Sequence, residues 1–218
     1  MDKVDHFQKY FMIRECQTSE DKNRCYRLRY DIFVKEFHYE PDNEQGMEYD
    51  EFDEAAIHYL IEHRESKLIA GTIRFIETRL NLVPPTMKLF KHENDLDTFE
   101  VSRFSISSQF RKRFNENLSE VGHYEFSEDD LRSHPLIILG LISAIYKHCQ
   151  NANYKSFYAI MEMKLIRLLH HFGIDWTSQL PPIEYHGTRI PCFVTFEQFS
   201  SGLKPEIREF MDKITIND

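Results

Sequence analysis

Charged side chains stand where apolar ones are expected at several places in the first half of the chain. Arg29 lies four residues after Cys25 and four before Phe33, so it projects along the apolar stripe of a segment with helical spacing. A guanidinium there must meet carboxylates, because a buried unpaired charge is heavily penalised. Glu48-x-Asp50-x-x-Asp53 forms an acidic run with Tyr49 and Phe52 interleaved. It reads either as a solvated loop or as a segment that folds inward and feeds a central strand. Further on, strand alternation in Phe99-Glu100-Val101-Ser102-Arg103-Phe104 puts Glu100, Ser102 and Phe104 on one face and Val101, Arg103 and Ser105 on the other. Arg74 makes the same demand for partners from the neighbouring strand. The chemistry open to such a set is proton transfer by a buried carboxylate, with Glu100 the candidate general base, among cations held by other acids. An ion-pair network that only fixes the fold is the competing reading. Arg111-Lys112-Arg113 is a basic cluster on an acidic chain, either a solvated turn or a dock for an anionic partner.

The elements that must position these residues follow from periodicity. Phe11 to Arg14 reads as a first strand. Ser19 caps a helix that runs to about Glu36. A loop with Pro41, Asp42, Asn43 and Gly46 precedes two strands at hairpin spacing, Ala56 to His63 and Leu68 to Glu77. Asn81 to Asp97 reads as loop with room for a helical turn, and Thr98 to Ser107 as a strand. Phe110 to Arg132 is the least regular stretch. Pro135 to Gln150 is apolar on nearly all sides and reads as a core helix. Strand Ser156 to Met161 and a helix from Glu162 to His171 follow, then strand-like Ile174 to Thr177, Ile183 to Tyr185 and Pro191 to Phe196, and a short helix Pro205 to Met211. Early hairpin strands followed by strand-helix-strand predict an α/β (α+β) fold, a mixed central sheet with helices on both faces, within one domain spanning 1–218.

Bulk properties narrow the function. The 218 residues are 41% hydrophobic and carry a net charge of −9, which speaks against general nucleic-acid binding. Cys16, Cys25, Cys149 and Cys192 are scattered and form no C-x-x-C pair, so reduced, mostly buried thiols are expected and no metal site. No apolar run reaches the ~20 residues of a membrane span, and no signal-peptide core opens the chain. A cytoplasmic protein is expected.

Arg29, Phe33, Glu48, Asp50, Asp53, Arg74, Glu100, Ser102 and Arg103, in that order and spacing, resemble the pattern of the acyl-homoserine-lactone (autoinducer) synthases over residues 24 to 113. The chain departs from that pattern at Tyr39, where the family carries a Trp near the amine substrate. A second resemblance covers nearly the whole chain. Tyr26-Arg27-Leu28-Arg29-Tyr30-Asp31-Ile32-Phe33, Leu165-Ile166-Arg167-Leu168-Leu169, and Ile183 to Cys192 are similar to the exosortase (PEP-CTERM) system-associated acyltransferases, relatives of the N-acyl amino acid synthases. Both resemblances imply a GNAT-like acyl-CoA N-acyltransferase fold. They also imply an acyl thioester donor, on acyl carrier protein or coenzyme A, a small amine or amino acid acceptor, and no tightly bound cofactor. On that basis Glu100, Ser102 and Arg103 are the catalytic candidates. Arg29, Phe33, Tyr39, Glu48, Asp50, Asp53 and Arg74 shape the substrate pocket, and Arg111, Lys112 and Arg113 receive the carrier, with His186 and Arg189 as secondary candidates. Two alternatives stay open: a lactone synthase consuming S-adenosylmethionine, and a non-catalytic binding module. An acetyl-CoA enzyme fits less well, since no Gln/Arg-x-x-Gly-x-Gly/Ala pyrophosphate loop follows the Glu100 strand.

Overall fold

The computed structural model describes residues 2–80, 83–90, 97–111, 134–176 and 180–217. Helix α1 (Lys3–Tyr10) leads into β1 (Phe11–Glu15), and α2 (Ser19–Tyr30) follows with the Thr18 hydroxyl accepting from the Asp21 N–H as its N-cap. Hairpin strands β2 (Ile57–His63) and β3 (Ile69–Glu77) come next, then the short helix α3 (Pro85–Phe90) and β4 (Thr98–Ile106). Beyond α4 (Ser108–Arg111) lie α5 (His134–Ala152), β5 (Ser156–Met161), α6 (Met163–His171), β6 (Ile183–Glu184), β7 (Thr188–Thr195), α7 (Phe196–Ser201), α8 (Pro205–Lys213) and β8 (Ile216–Asn217).

The strands form one mixed sheet in the order β6-β7-β5-β4-β3-β2-β1-β8. Antiparallel pairing runs from β1 to β4, β5 joins β4 in parallel, and β7 returns antiparallel to β5. The expected mixed α/β architecture is therefore present. Helix α5 is buried over most of its length, as its all-round apolar character predicts, and Gly140 lets it approach closely. A Cβ there would come within 2.9 Å of Ile61 on β2 and 2.8 Å of Phe7 on α1.

Several local expectations are corrected. Helix α2 ends at Tyr30 and the chain continues to Glu36 as a π-helical turn, Asp31–Glu36, in which the Phe37 N–H donates to the Ile32 carbonyl. Such turns are rare and recur at functional sites. Residues 174–176 form no strand, and Thr177 lies outside the described residues. The polar N-terminus folds as α1, with Val4 and Phe7 buried. Pro85 opens α3, consistent with the preference for proline in a first helical turn.

Candidate active site

The acidic run does fold inward. The Glu48 N–H donates to the Tyr26 carbonyl, which seats the loop on α2 and turns its carboxylates toward Arg29. Arg29 has no solvent exposure. Its Nε donates to Glu48 Oε2 at 2.5 Å, and its Nη1 and Nη2 fork onto Asp53 at 2.6 and 2.9 Å. Arg74 rises from β3 to the same acids, with Nη1 2.6 Å from Asp50 Oδ1 and 3.0 Å from Asp53 Oδ2. Its Nε donates to the Ser102 hydroxyl at 3.1 Å.

Arg103 completes the set by breaking the expected alternation. Between the pairs Thr72–Ser105 and Arg74–Ser102, β3 has one residue and β4 has two, a β-bulge at Arg103 and Phe104. Arg103 takes a φ of 51°, the left-handed region. Its guanidinium therefore does not point away from Ser102 but reaches Glu48 Oε1 and Asp50 Oδ2, both at 2.9 Å from Nη2. Three arginines and three carboxylates thus close into a charge-balanced cage. The ring of Phe33, on the π-helical turn, lies 6.0 Å from the Arg103 guanidinium carbon.

Burial alone would push the Asp53 carboxyl up, but the Arg29 fork and Arg74 hold it well below the usual carboxylate range. His58 shares that corner, with Nε2 3.2 Å from the Asp53 carbonyl, and burial lowers it to about 4, so it is neutral at ordinary pH.

Glu100 faces the same side of β4 as Ser102 yet stands apart from the fork-to-carboxylate bonding. It is 5% exposed and accepts from the Thr86 N–H at 2.9 Å. Burial raises its pKa, opposed by Thr86 and by the charges of Arg74 and Arg103. Thr86 was not singled out in the sequence; the Pro84-Pro85 step opening a helix was the signal available for it. Past Val101, β4 parts from β5. Their register ends at Val101–Ala159, although β4 continues to Ile106 and β5 to Met161. The β4 edge beyond that point has no ladder partner among the described residues.

Tyr39 joins the cage region to the far half of the chain. Its ring stacks 5.2 Å from Phe37 and 4.7 Å from His186, and its hydroxyl accepts from Arg189 at 3.2 Å. His186 occupies the β6–β7 turn at a φ of 51°, ahead of Gly187 at 88°. Arg189 also pairs with Glu162 at 3.0 Å. Arg111 is tied to Glu36 and lies 5.5 Å from the Phe37 ring. Lys112 and Arg113 fall outside the described residues. Among the described residues no group of three or more His, Cys, Asp or Glu could hold a metal, and no helix is long and apolar enough to cross a membrane.

Comparison with known proteins agrees with this fold. The acetyltransferase (GNAT) domain family matches residues 28–119, the stretch that carries the cage and Glu100. Among solved structures, the CoA-dependent acyl-homoserine lactone synthase BjaI, solved with SAM and isopentyl-CoA, superposes with a TM-score of 0.68 at 20% identity, covering 95% of this chain and 93% of that one. The AHL synthase LasI gives 0.62 at 14% identity over 89% and 95%. FeeM, an N-acyl amino acid synthase from uncultured soil microbes, gives 0.57 at 13% identity over 93% and 98%. Among curated proteins, epoxyqueuosine reductase of Vibrio cholerae is 28% identical over 72 residues, 33% of this chain and only 20% of that protein, so the chain spans a small part of that relative. The chain has the GNAT-like fold that the acyl-homoserine lactone synthases share with the N-acyl amino acid synthase FeeM.

Proposed function

We propose that the chain is an N-acyltransferase that moves a fatty acyl group from a thioester, on acyl carrier protein or coenzyme A, to the amino group of a small amine, an amino acid. The observation that carries this reading is Glu100: a buried carboxylate with a raised pKa, held by a backbone N–H beside a neutral ion cage.

Attack on a thioester requires the acceptor's ammonium to lose a proton, and Glu100 takes it through a water. Backbone N–H groups of β4 past Val101, where the strand has left β5, donate to the carbonyl oxygen as it becomes an oxyanion. Collapse of the tetrahedral intermediate breaks the C–S bond, and the thiol leaves with a proton. Ser102 and Arg103 stand next to Glu100 and face the substrates. Arg29, Glu48, Asp50, Asp53 and Arg74 hold the pocket's shape, Phe33 and Tyr39 wall the acceptor side, and Arg111, Lys112 and Arg113 receive the carrier.

Glu100→Gln tests the reading. It should lower kcat/KM for acyl transfer by ~10²–10⁴ without loss of fold, and the wild-type rise of kcat/KM with pH through the raised Glu100 pKa should vanish. A non-catalytic binding module would show no change. A second reading, lactone synthesis from S-adenosylmethionine, draws on the extent of the likeness to BjaI and LasI, against Tyr39 in the place of that family's Trp. Mass spectrometry of lipid extracts from an expressing bacterium separates the two: an acyl amino acid with a free carboxylate supports the first, a lactone the second.

A further inference from the structure

All four cysteines are free and buried, but they are not equivalent. Cys16, in the link between β1 and α2, lies with its Sγ 3.5 Å from the Sγ of Cys25 on α2. We propose that Cys16 and Cys25 are a redox-active dithiol, a site of reversible oxidation to an intramolecular disulfide by a small peroxide.

The backbone on both sides of the pair is already fixed. Arg14 of β1 forks onto Asp21 of α2 with both bonds at 2.5 Å, Arg24 of α2 reaches Glu62 of β2 at 2.8 Å, and the Cys16 N–H donates to the His58 carbonyl at 2.8 Å. A bond between the sulfurs requires them to close from 3.5 to ~2.05 Å, by side-chain rotation with any remaining shift taken up in the three-residue link. Leu60, with Tyr26 and Ile69, packs around them, and Thr72 reaches Cys25. Cys16 is 6% exposed and precedes the exposed Gln17 and Thr18, which puts it at the solvent side of the pair.

The thiols also differ in their surroundings. The contact with Cys16, Thr72 and the Arg29 charge pull the Cys25 thiol down against the effect of burial, while the same contact and burial push the Cys16 thiol up. Cys149 and Cys192 have no such neighbour, and burial pushes both up to about 12. They serve as internal controls.

One thiolate attacks a peroxide oxygen, the O–O bond breaks, and the departing oxygen leaves as water, giving a sulfenic acid. The second sulfur attacks the first, the S–O bond breaks, and a second water leaves. Two thiols and one hydrogen peroxide become one disulfide and two waters, with two electrons passing from the sulfurs to the peroxide. A thiol reductant reverses the change. Because Cys25 lies one helical turn before Arg29, the bridge fastens the helix that carries the cage to β1.

The test uses the full chain, reduced and freed of reductant, then given graded hydrogen peroxide, unfolded, alkylated and mapped by mass spectrometry. Free thiols should fall from the four of the reduced chain to two, with Cys16 joined to Cys25, Cys149 and Cys192 still alkylated, and full recovery with dithiothreitol. Cys16→Ser should form no disulfide at the same dose. The proposal is overturned if all four thiols stay free, if Cys149 or Cys192 oxidises first, if Cys16 or Cys25 passes to a sulfinic acid instead, or if the bridge joins two chains. Should Cys16→Ser not fold, the wild-type map alone decides, since it identifies the bonded sulfurs directly.

Discussion

On one face of β3 and β4, Ile73, Phe75, Phe99 and Val101 lie against α5, with the Phe75 and Phe99 rings 5.0 and 4.8 Å from His148. On the other face of the same strands lie Arg74 and Ser102, beside the acidic loop, and Glu100, against Thr86 of α3. Both faces are largely buried, although Arg103 and Asp50 keep 18% and 23% of their side-chain surface exposed, and their energetics are opposite. Apolar burial stabilises the first in proportion to area. The second withdraws Arg29, Arg74, Glu48 and Asp53 from water, a desolvation cost that ion pairing offsets only with complete geometry. Every cage arginine here makes two or more bonds to fixed acceptors. A face assembled at such cost, in a sheet that elsewhere uses ordinary hydrocarbon, is what the proposed site requires, and a fold device is the competing account.

That contrast is broken most directly at Arg29. Arg29→Met leaves three buried or half-buried acids to Arg74 and Arg103 alone, an excess negative charge, and should cost ~3–5 kcal/mol in urea unfolding. The paired change Arg29→Met with Asp53→Leu removes one charge of each sign and leaves Arg74 and Arg103 facing Glu48 and Asp50. It should restore stability to within ~1 kcal/mol of wild type while acyl transfer stays lost. If the double variant recovers activity as well, the cage is a fold device and the comparison fails. On the apolar face, Ile73→Val should cost ~0.5–1.5 kcal/mol and leave acyl transfer intact.

The pH dependence of stability sharpens the comparison on the charged face. His58 has a folded pKa of about 4, below its ordinary 6.5, so the unfolded chain binds the extra proton between those values. Its contribution is present above pH ~6.5 and lost as pH falls toward the folded pKa, about 3 kcal/mol in all. His58→Gln should flatten the unfolding free energy across that window, measured by urea titration at successive pH values. Asp53 acts lower: its depressed pKa supports the fold above the ordinary carboxylate range, and that support is lost as pH falls further.

Much of this face was legible from residue types. A guanidinium on an apolar helical stripe, acids interleaved with aromatics, and ions within a central strand each pointed inward, and Arg29, Asp53 and Glu100 are all buried. Strand alternation misled at Arg103, because a bulge depends on the register between two strands and leaves no mark on one strand's pattern. Thr86 holds Glu100 from a separate helix, by its backbone N–H and its side chain, and no pattern within either segment marks that contact. The contacts of Tyr39 with His186 and Arg189 join segments about 150 residues apart in the chain, and Cys16 meets Cys25 only because a strand and a helix fold back on each other. Periodicity within a segment carries none of these tertiary relations. The segment 174–176 shows the converse: its β-type residues are held instead by the end of α6, where the Ile174 N–H donates to the Leu169 carbonyl.

The smallest expected effect lies outside both faces, at Arg111. Its pairing with Glu36 is partly exposed, and pairs of that kind contribute ~0–1 kcal/mol. Arg111→Ala should therefore leave urea unfolding nearly unchanged. If the basic cluster docks a carrier, the variant should raise KM for an acyl group presented on acyl carrier protein while KM for the same acyl group on coenzyme A, and kcat with either donor, stay as they were. An equal change with both donors would place Arg111 in support of the π-helical turn through Glu36 and Phe37. Since Arg111 touches that turn and Phe33 lies on it beside Arg103, such a result would extend the charged face outward from the cage, and it would remove the carrier from the surface proposed for it.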